Sequence, residues 1–128
     1  MTLELKLLVW SSVLALIQMI VALLGAIAQV GIPALVGNRE NLPAFGGWAG
    51  RAQRAHRNML ESLVVFASLA LVTQIAGKSN AATALGAQLF FWARLVYAPV
   101  YVIGIPGLRT ALWAVSFVGL LQILTRLL

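Results

Sequence analysis

Four long apolar stretches, separated by short polar or Gly/Pro-bearing segments, set the pattern of this chain. The first runs from about Leu5 to Val30 and is uncharged over the 22 residues from Leu7 to Ala28. Gly31-Ile32-Pro33 breaks it, and Gly37-Asn38-Arg39-Glu40-Asn41-Leu42-Pro43, prolonged by Gly46-Gly47, reads as a polar loop. The second stretch, about Trp48 to Ala76, is polar in its N-terminal half and apolar in its C-terminal half. Gly77-Lys78-Ser79-Asn80 is a short turn that offers Ser79 or Asn80 as the N-cap of a third helix, about Ala81 to Ile103, which Pro99 should kink near its end. Gly104-Ile105-Pro106-Gly107 makes the last turn, before a fourth helix over about 107–127.

A helix needs about 20 mainly apolar residues to cross a hydrocarbon core of roughly 30 Å, and each stretch is long enough. The apolar runs are continuous rather than alternating, which excludes a β-barrel. The short second and third turns predict antiparallel neighbours. The fold expected is therefore all-α: one transmembrane domain over residues 1–128, a four-helix up-down-up-down bundle. Ala26-Ile27-Ala28 resembles a signal-peptide cleavage site, but the uncharged run before it exceeds the roughly 7–15 residues of a signal h-region, so the first helix is read as retained.

Composition agrees. The chain is 62% hydrophobic and 9% charged, against about 25% charged in soluble domains, so lipid is its expected solvent. Its charge of +6 comes from nine Lys and Arg against three acidic residues. These bases lie between or inside apolar segments, a placement that suits membrane orientation or an anionic ligand and not nucleic acid. Arg39, Arg51, Arg54, Arg57 and Arg109 gather at the first and third loops, while Lys6, Lys78 and Arg126 mark the other side. The first and third loops should be cytoplasmic and both termini opposite, in a multi-pass protein of a bacterial inner membrane. With no cysteine, a thiolate nucleophile or Cys-based metal site is excluded, and the single histidine, His56, has no partner for a metal site.

The chemistry lies in the second helix. Arg54, Arg57, Asn58 and Glu61 stand at i, i+3, i+4 and i+7 and share one helical face, with Glu61 able to pair with Arg57. His56 points away from that face. Ionisable groups at membrane depth cost several kcal/mol unless they are paired, reach the interface or line a wet cavity. The third helix repeats the pattern with Arg94, Tyr97 and Tyr101, and the fourth opens with Arg109-Thr110, with Trp113 a turn further on. Two readings stand: helix clamps and interfacial anchors, or a basic pocket whose arginine forks take a small polyanion. Ser11, Ser12, Gln18 and Gln88 are expected to form interhelical hydrogen bonds, and Gly25 and Gly86 to permit close helix approach.

The run Arg54-Ala-His56-Arg57-Asn58-x-x-Glu61, followed by Ser62-Leu-Val-Val-Phe66, closely resembles the signature of the MAPEG family, the membrane-associated proteins in eicosanoid and glutathione metabolism. Arg94, Tyr97, Tyr101, Arg109 and the Leu-Gln122-Ile-Leu stretch fall in matching order, so the resemblance covers roughly residues 48–126. It implies a homotrimer that binds glutathione as co-substrate between subunits on the cytoplasmic side, near a lipophilic substrate drawn from the bilayer. Arg57, Asn58 and Glu61 would contact glutathione, with Arg54 and Arg94 beside them. Tyr97, Tyr101 and Thr110 would line the site, and Arg109 would be the catalytic residue that holds the sulfur as thiolate. The activity implied is that of a glutathione transferase or peroxidase acting on lipophilic electrophiles.

Two departures qualify this. The eicosanoid enzymes carry an arginine where Val30 or Gly31 falls here, and Arg39 is the nearest substitute. Thr110 and Trp113 replace a serine and a tyrosine of the prostaglandin-synthesising member. The chain thus looks more like the short prokaryotic members than a dedicated eicosanoid synthase. A non-catalytic scaffold binding lipid or a partner protein is the second reading. A small multidrug exporter is the third, disfavoured because its carboxylate belongs in the first helix, which is read here as uncharged beyond Lys6.

Overall fold

The computed structural model describes residues Met1–Leu128, as five helices and no strand. α1 (Leu3–Val30) starts at Thr2, whose hydroxyl accepts from the Leu5 amide, and stops at Gly31, where φ is +79°. A five-residue helix, α2 (Ile32–Val36), with Pro33 in its first turn, follows directly. It occupies the segment read as a break, and the polar loop expected from Gly37 onward is present, with no helix over residues 37–46. Leu35 is buried, and that anchor folds the start of the connection back onto the bundle.

α3 (Gly47–Ile75) is positioned by Gln29 near the end of α1. The Gln29 amide donates to the Gly46 carbonyl at 2.7 Å and accepts from the Gly46 amide at 3.3 Å. α4 (Ala81–Ile103) opens with a capping box in which Asn80, rather than Ser79, is the cap and exchanges bonds with Thr83. Such a cap is worth about 1 kcal/mol. α4 continues through Pro99 and ends at Gly104, in the left-handed region with φ +95°. Arg51 Nε donates to the Val102 carbonyl at 2.8 Å, which satisfies one of the orphan acceptors at that helix end. α5 (Pro106–Leu127) begins with Pro106 at a position that needs no amide donor.

α4 is the spine of the bundle. It and α3 each pack against all three other long helices, α4 most extensively through α5, whereas α1 and α5 do not pack together. The core is built on the Phe66–Phe90 stack, with centroids 4.3 Å apart, and on Met59, Leu120 and Ile123 around it. Elsewhere the buried positions are mostly small residues, while Trp10, Leu16, Ile20, Val64, Trp92 and Val118 are exposed. Small inside and large apolar outside is the pattern of helices whose solvent is lipid. Four of the helices are long and apolar enough to span a membrane, and the chain is an integral multi-pass membrane protein.

Close approach is most demanding at the α4–α5 crossing. A Cβ on Gly86 would sit 2.7 Å from the Gly119 carbonyl oxygen, and one on Gly119 would sit 2.5 Å from the Gly86 oxygen. Gly25 plays the same part between α1 and α3, where an added Cβ would lie 2.8 Å from that of Ala49.

Two expectations are corrected. Ser12 bonds within its own helix to Leu8, while the Ser11 hydroxyl and the Gln18 carbonyl are buried without partners and Gln88 is exposed. None of these four ties helices together. Close packing through small residues makes the crossings, and the polar links between elements sit at helix ends except for one inside the bundle, between α3 and α4. The second correction concerns Glu4, which lies in the first turn of α1, only 1% exposed. The first helix therefore does carry a carboxylate. Thr83 Oγ1 donates to it at 2.5 Å, and Ser79 Oγ reaches both its oxygens at 2.9 and 3.0 Å. Fully engaged at a helix end, Glu4 is a clasp between α1 and the α3–α4 turn, and it lends no support to the exporter reading.

Replacing Gly119 by Val should force α4 and α5 apart and cost several kcal/mol, as overpacking against backbone does. Gly107→Ala, where an added Cβ meets nothing within 4 Å, should leave stability within about 0.5 kcal/mol. Thermal unfolding of both variants in detergent, compared with the parent, checks the contrast.

Candidate functional site

The site is organised around Arg94. This side chain is 2% exposed, among the largest fully buried ones in the protein. Its Nη1 donates to Asn58 Oδ1 on α3 at 2.6 Å. The guanidinium carbon lies 4.7 Å from the centre of the Tyr97 ring and 5.9 Å from that of Phe90, and Nε is buried without a partner. The helical spacing explains the stacking: Phe90, Arg94 and Tyr97 follow one another at i, i+4 and i+7 on α4. A buried cation normally keeps a carboxylate beside it, because an uncompensated charge in a low dielectric is costly. Here the partner is a neutral amide, so positive charge remains available to an anion.

Tyr97 stands edge-on to Tyr101, 5.6 Å away, and the Arg109 guanidinium caps Tyr101 at 4.5 Å. Arg109 comes from the first turns of α5, which the tight Gly104–Ile105 turn folds back beside the end of α4. Asn58, Tyr97, Tyr101, Arg109, Thr110 and Trp113 enclose a recess of about 280 Å³. The Thr110 hydroxyl is already engaged within its own helix, donating to the Pro106 carbonyl at 3.2 Å.

A second cavity of about 320 Å³ lies beside this recess. Asn58, Glu61 and Arg94 form its polar end, and it runs between α3 and α5 past Val65 and Leu69 to Leu124. Asn58 and Trp113 line both spaces. From Asn58 to Leu69 the groove follows about 16 Å of helix at 1.5 Å per residue. Trp113 stacks on Phe117, 5.3 Å away and 9° from parallel, so a flat aromatic wall marks the passage from the polar recess to the apolar groove. A polar recess beside an apolar trough can hold a hydrophilic anion and a lipophilic molecule with their ends adjacent.

Of the residues expected from sequence, Asn58, Glu61, Arg94, Tyr97, Tyr101, Arg109 and Thr110 converge on this double cavity. Arg54 and Arg57 line neither part and are exposed. The pairing expected between Arg57 and Glu61 is not made. Both side chains are exposed and extend separately, as the small gain from an exposed i, i+4 pair allows. Sequence spacing also passed over Trp113 as a shared wall, and it could not show that Arg51 acts as a helix-end cap.

Fold and site together define a membrane-embedded helical bundle with a cationic recess beside an apolar trough. The family model described as the MAPEG family matches residues 7–128, nearly the whole chain, and the protein belongs to that family. The likeness extends through the first helix, which the residue motifs alone had not covered. No curated protein and no solved structure matches the chain.

Asn58→Asp should discriminate between a structural and a ligand-binding Arg94. A carboxylate at that position would neutralise the buried guanidinium, raising the unfolding temperature of ligand-free protein. It should also weaken binding of an anionic ligand at least tenfold, as about 1.4 kcal/mol of lost attraction would do. Calorimetric titration alongside thermal unfolding reads both effects. A fall in stability with unchanged anion affinity would reject the assignment.

Proposed function

We propose that this protein is a glutathione-dependent membrane enzyme that transfers the thiol to lipophilic electrophiles, or reduces lipid hydroperoxides with it. One observation carries the reading: Arg94, buried with a neutral amide as its hydrogen-bond partner, and Arg109 line two adjoining cavities that share Asn58 and Trp113. The recess suits a small, polar, multiply charged thiol, and the apolar groove suits a substrate delivered by the bilayer. Arg94 and Arg109 supply cations for carboxylates and sulfur, Asn58 and Glu61 are placed for amide and ammonium groups, and Tyr97 and Tyr101 form the wall beneath.

In the transfer reaction the chain needs no nucleophile of its own. A cation beside the sulfur favours the ionised thiol, and Arg109 is the residue placed for this. The thiol proton leaves to water, the thiolate attacks the electrophilic carbon, and a carbon–sulfur bond forms as the leaving group departs with the bond pair. With a hydroperoxide, the thiolate would attack oxygen and release the alcohol. A second glutathione would then convert the sulfenic acid to glutathione disulfide and water.

The proposal includes a homotrimer, with the thiol entering from the cytoplasmic side. The groove between α3 and α5 is open on one flank and α1 does not reach α5, so a neighbouring copy is the natural source of the missing wall. Arg54 and Arg57, which serve neither cavity of their own chain, are then available to a neighbour's site. A second reading, a binding scaffold without catalysis, is favoured by one observation: Val30 and Gly31 end α1 where the eicosanoid enzymes place an arginine.

Detergent-purified protein is expected to bind glutathione, to show the ultraviolet absorbance of its thiolate, and to conjugate chlorodinitrobenzene. Arg109→Ala should abolish the thiolate signal and lower the rate by about 10²–10³-fold, the scale seen when one electrostatic contact to a developing or reacting anion is removed. Retained glutathione binding with no turnover on any electrophile would favour the scaffold. No heat of glutathione binding would remove both the thiol assignment and the enzyme.

A further inference from the structure

A different cavity, of about 410 Å³, lies on another face of α3, beneath the first loop. Its floor is apolar, formed by Met19 and Leu23 of α1 with Leu35 and Phe45 of the loop, and its polar rim holds Arg39, Gln53 and His56. His56 is the residue that points away from the Arg54–Glu61 stripe, and its Nε2 is buried without a hydrogen-bond partner. Arg39 is the one non-glycine residue with positive φ, at +61°. That backbone conformation is unfavourable for a side-chain-bearing residue and recurs at ligand-binding positions. Arg39 Nε donates to the Leu35 carbonyl at 2.6 Å, which fixes the guanidinium and leaves its terminal nitrogens unengaged. The acidic neighbour Glu40 does not line this cavity; it borders a shallow depression on the other side of Arg39, which lines both.

We propose that this cavity holds one anionic phospholipid, its phosphate on Arg39 and His56 and the start of its acyl chain on Met19, Leu23 and Phe45. The polar rim is complementary to a phosphate, since the Arg39 cation and the nitrogen-bearing side chains of Gln53 and His56 line the cavity and no carboxylate does. The geometry agrees, because the cavity sits at the charged end of the helices, where α1 and α3 leave the hydrocarbon and a headgroup would lie. Bilayer amphiphiles are present there at high local concentration, and basic residues next to membrane spans attract anionic lipid. The site uses none of the residues assigned to the thiol pocket and stands independently of that reading.

Native mass spectrometry of the detergent-purified protein, titrated with phosphatidylglycerol and phosphatidylcholine of matched chains, tests the proposal. Phosphatidylglycerol should be retained at one molecule per chain, at least tenfold in preference to phosphatidylcholine. Arg39→Gln combined with His56→Gln should erase the preference, Arg39→Lys should keep most of it, and Arg126→Gln at the opposite end should leave it unchanged. Equal retention of the two lipids, or a preference that survives the double substitution, overturns the proposal. Displacement of the lipid by glutathione also overturns it, by making the cavity part of the thiol site.

Discussion

A single hydrogen bond, from Arg94 to Asn58, holds together the two requirements this protein has to meet at once. It ties α3 to α4 near the charged end of the bundle, and it does so without neutralising the guanidinium. A carboxylate in place of the amide would make a tighter clamp and a quieter core. The neutral partner keeps the charge, and the stacked rings of Phe90 and Tyr97 take up part of its cost through the attraction between a cation and an aromatic face. The rest of the site is arranged relative to this pair. Tyr97 and Tyr101 extend the row along α4, Arg109 closes it from α5, and the apolar groove begins where Arg94 ends.

The scaffold around that pair is stiff where the site needs it. The Gly86–Gly119 contact brings α5 against α4 at backbone distance, so Arg109, Thr110 and Trp113 are delivered by a packed element rather than by a loop. Arg51 fixes the end of α4 from α3, and Gln29 fixes the start of α3 from α1. These links lie at helix ends, where backbone groups lack partners, while the crossings between them rely on close packing of small side chains. In a solvent as apolar as the side chains themselves, that division of labour is what holds helices together.

Much of this was legible in the sequence. Apolar run length gave the four spans to within two residues at each end, because crossing lipid demands continuous hydrophobicity that loops cannot imitate. The i, i+3, i+4 spacing put Asn58 with Glu61, and Arg94 with Tyr97 and Tyr101, because helical geometry admits few alternatives. What could not be read was any relation between elements. Nothing in the order of residues shows that Asn58 meets Arg94 across an interface, while Arg57, adjacent in sequence, meets neither cavity. The helix α2 was hidden because Gly31 and Pro33 mark a break, and a single turn with one buried residue, Leu35, leaves no periodic pattern. Glu4 was overlooked for the opposite reason: its partners lie far along the chain, and an isolated acid near a helix start looks like an ordinary first-turn residue.

That last separation has a consequence for how the protein is made. Ser79, which closes the clasp on Glu4, follows it by 75 residues. At the roughly 5–20 residues per second of synthesis, α1 would exist for about 4–15 s before the hydroxyls that satisfy its carboxylate emerge. Until then the carboxylate, in the first turn of α1, has only water and headgroups as partners. The contacts of α1 at this end are therefore complete only once the turn between the second and third spans is in place.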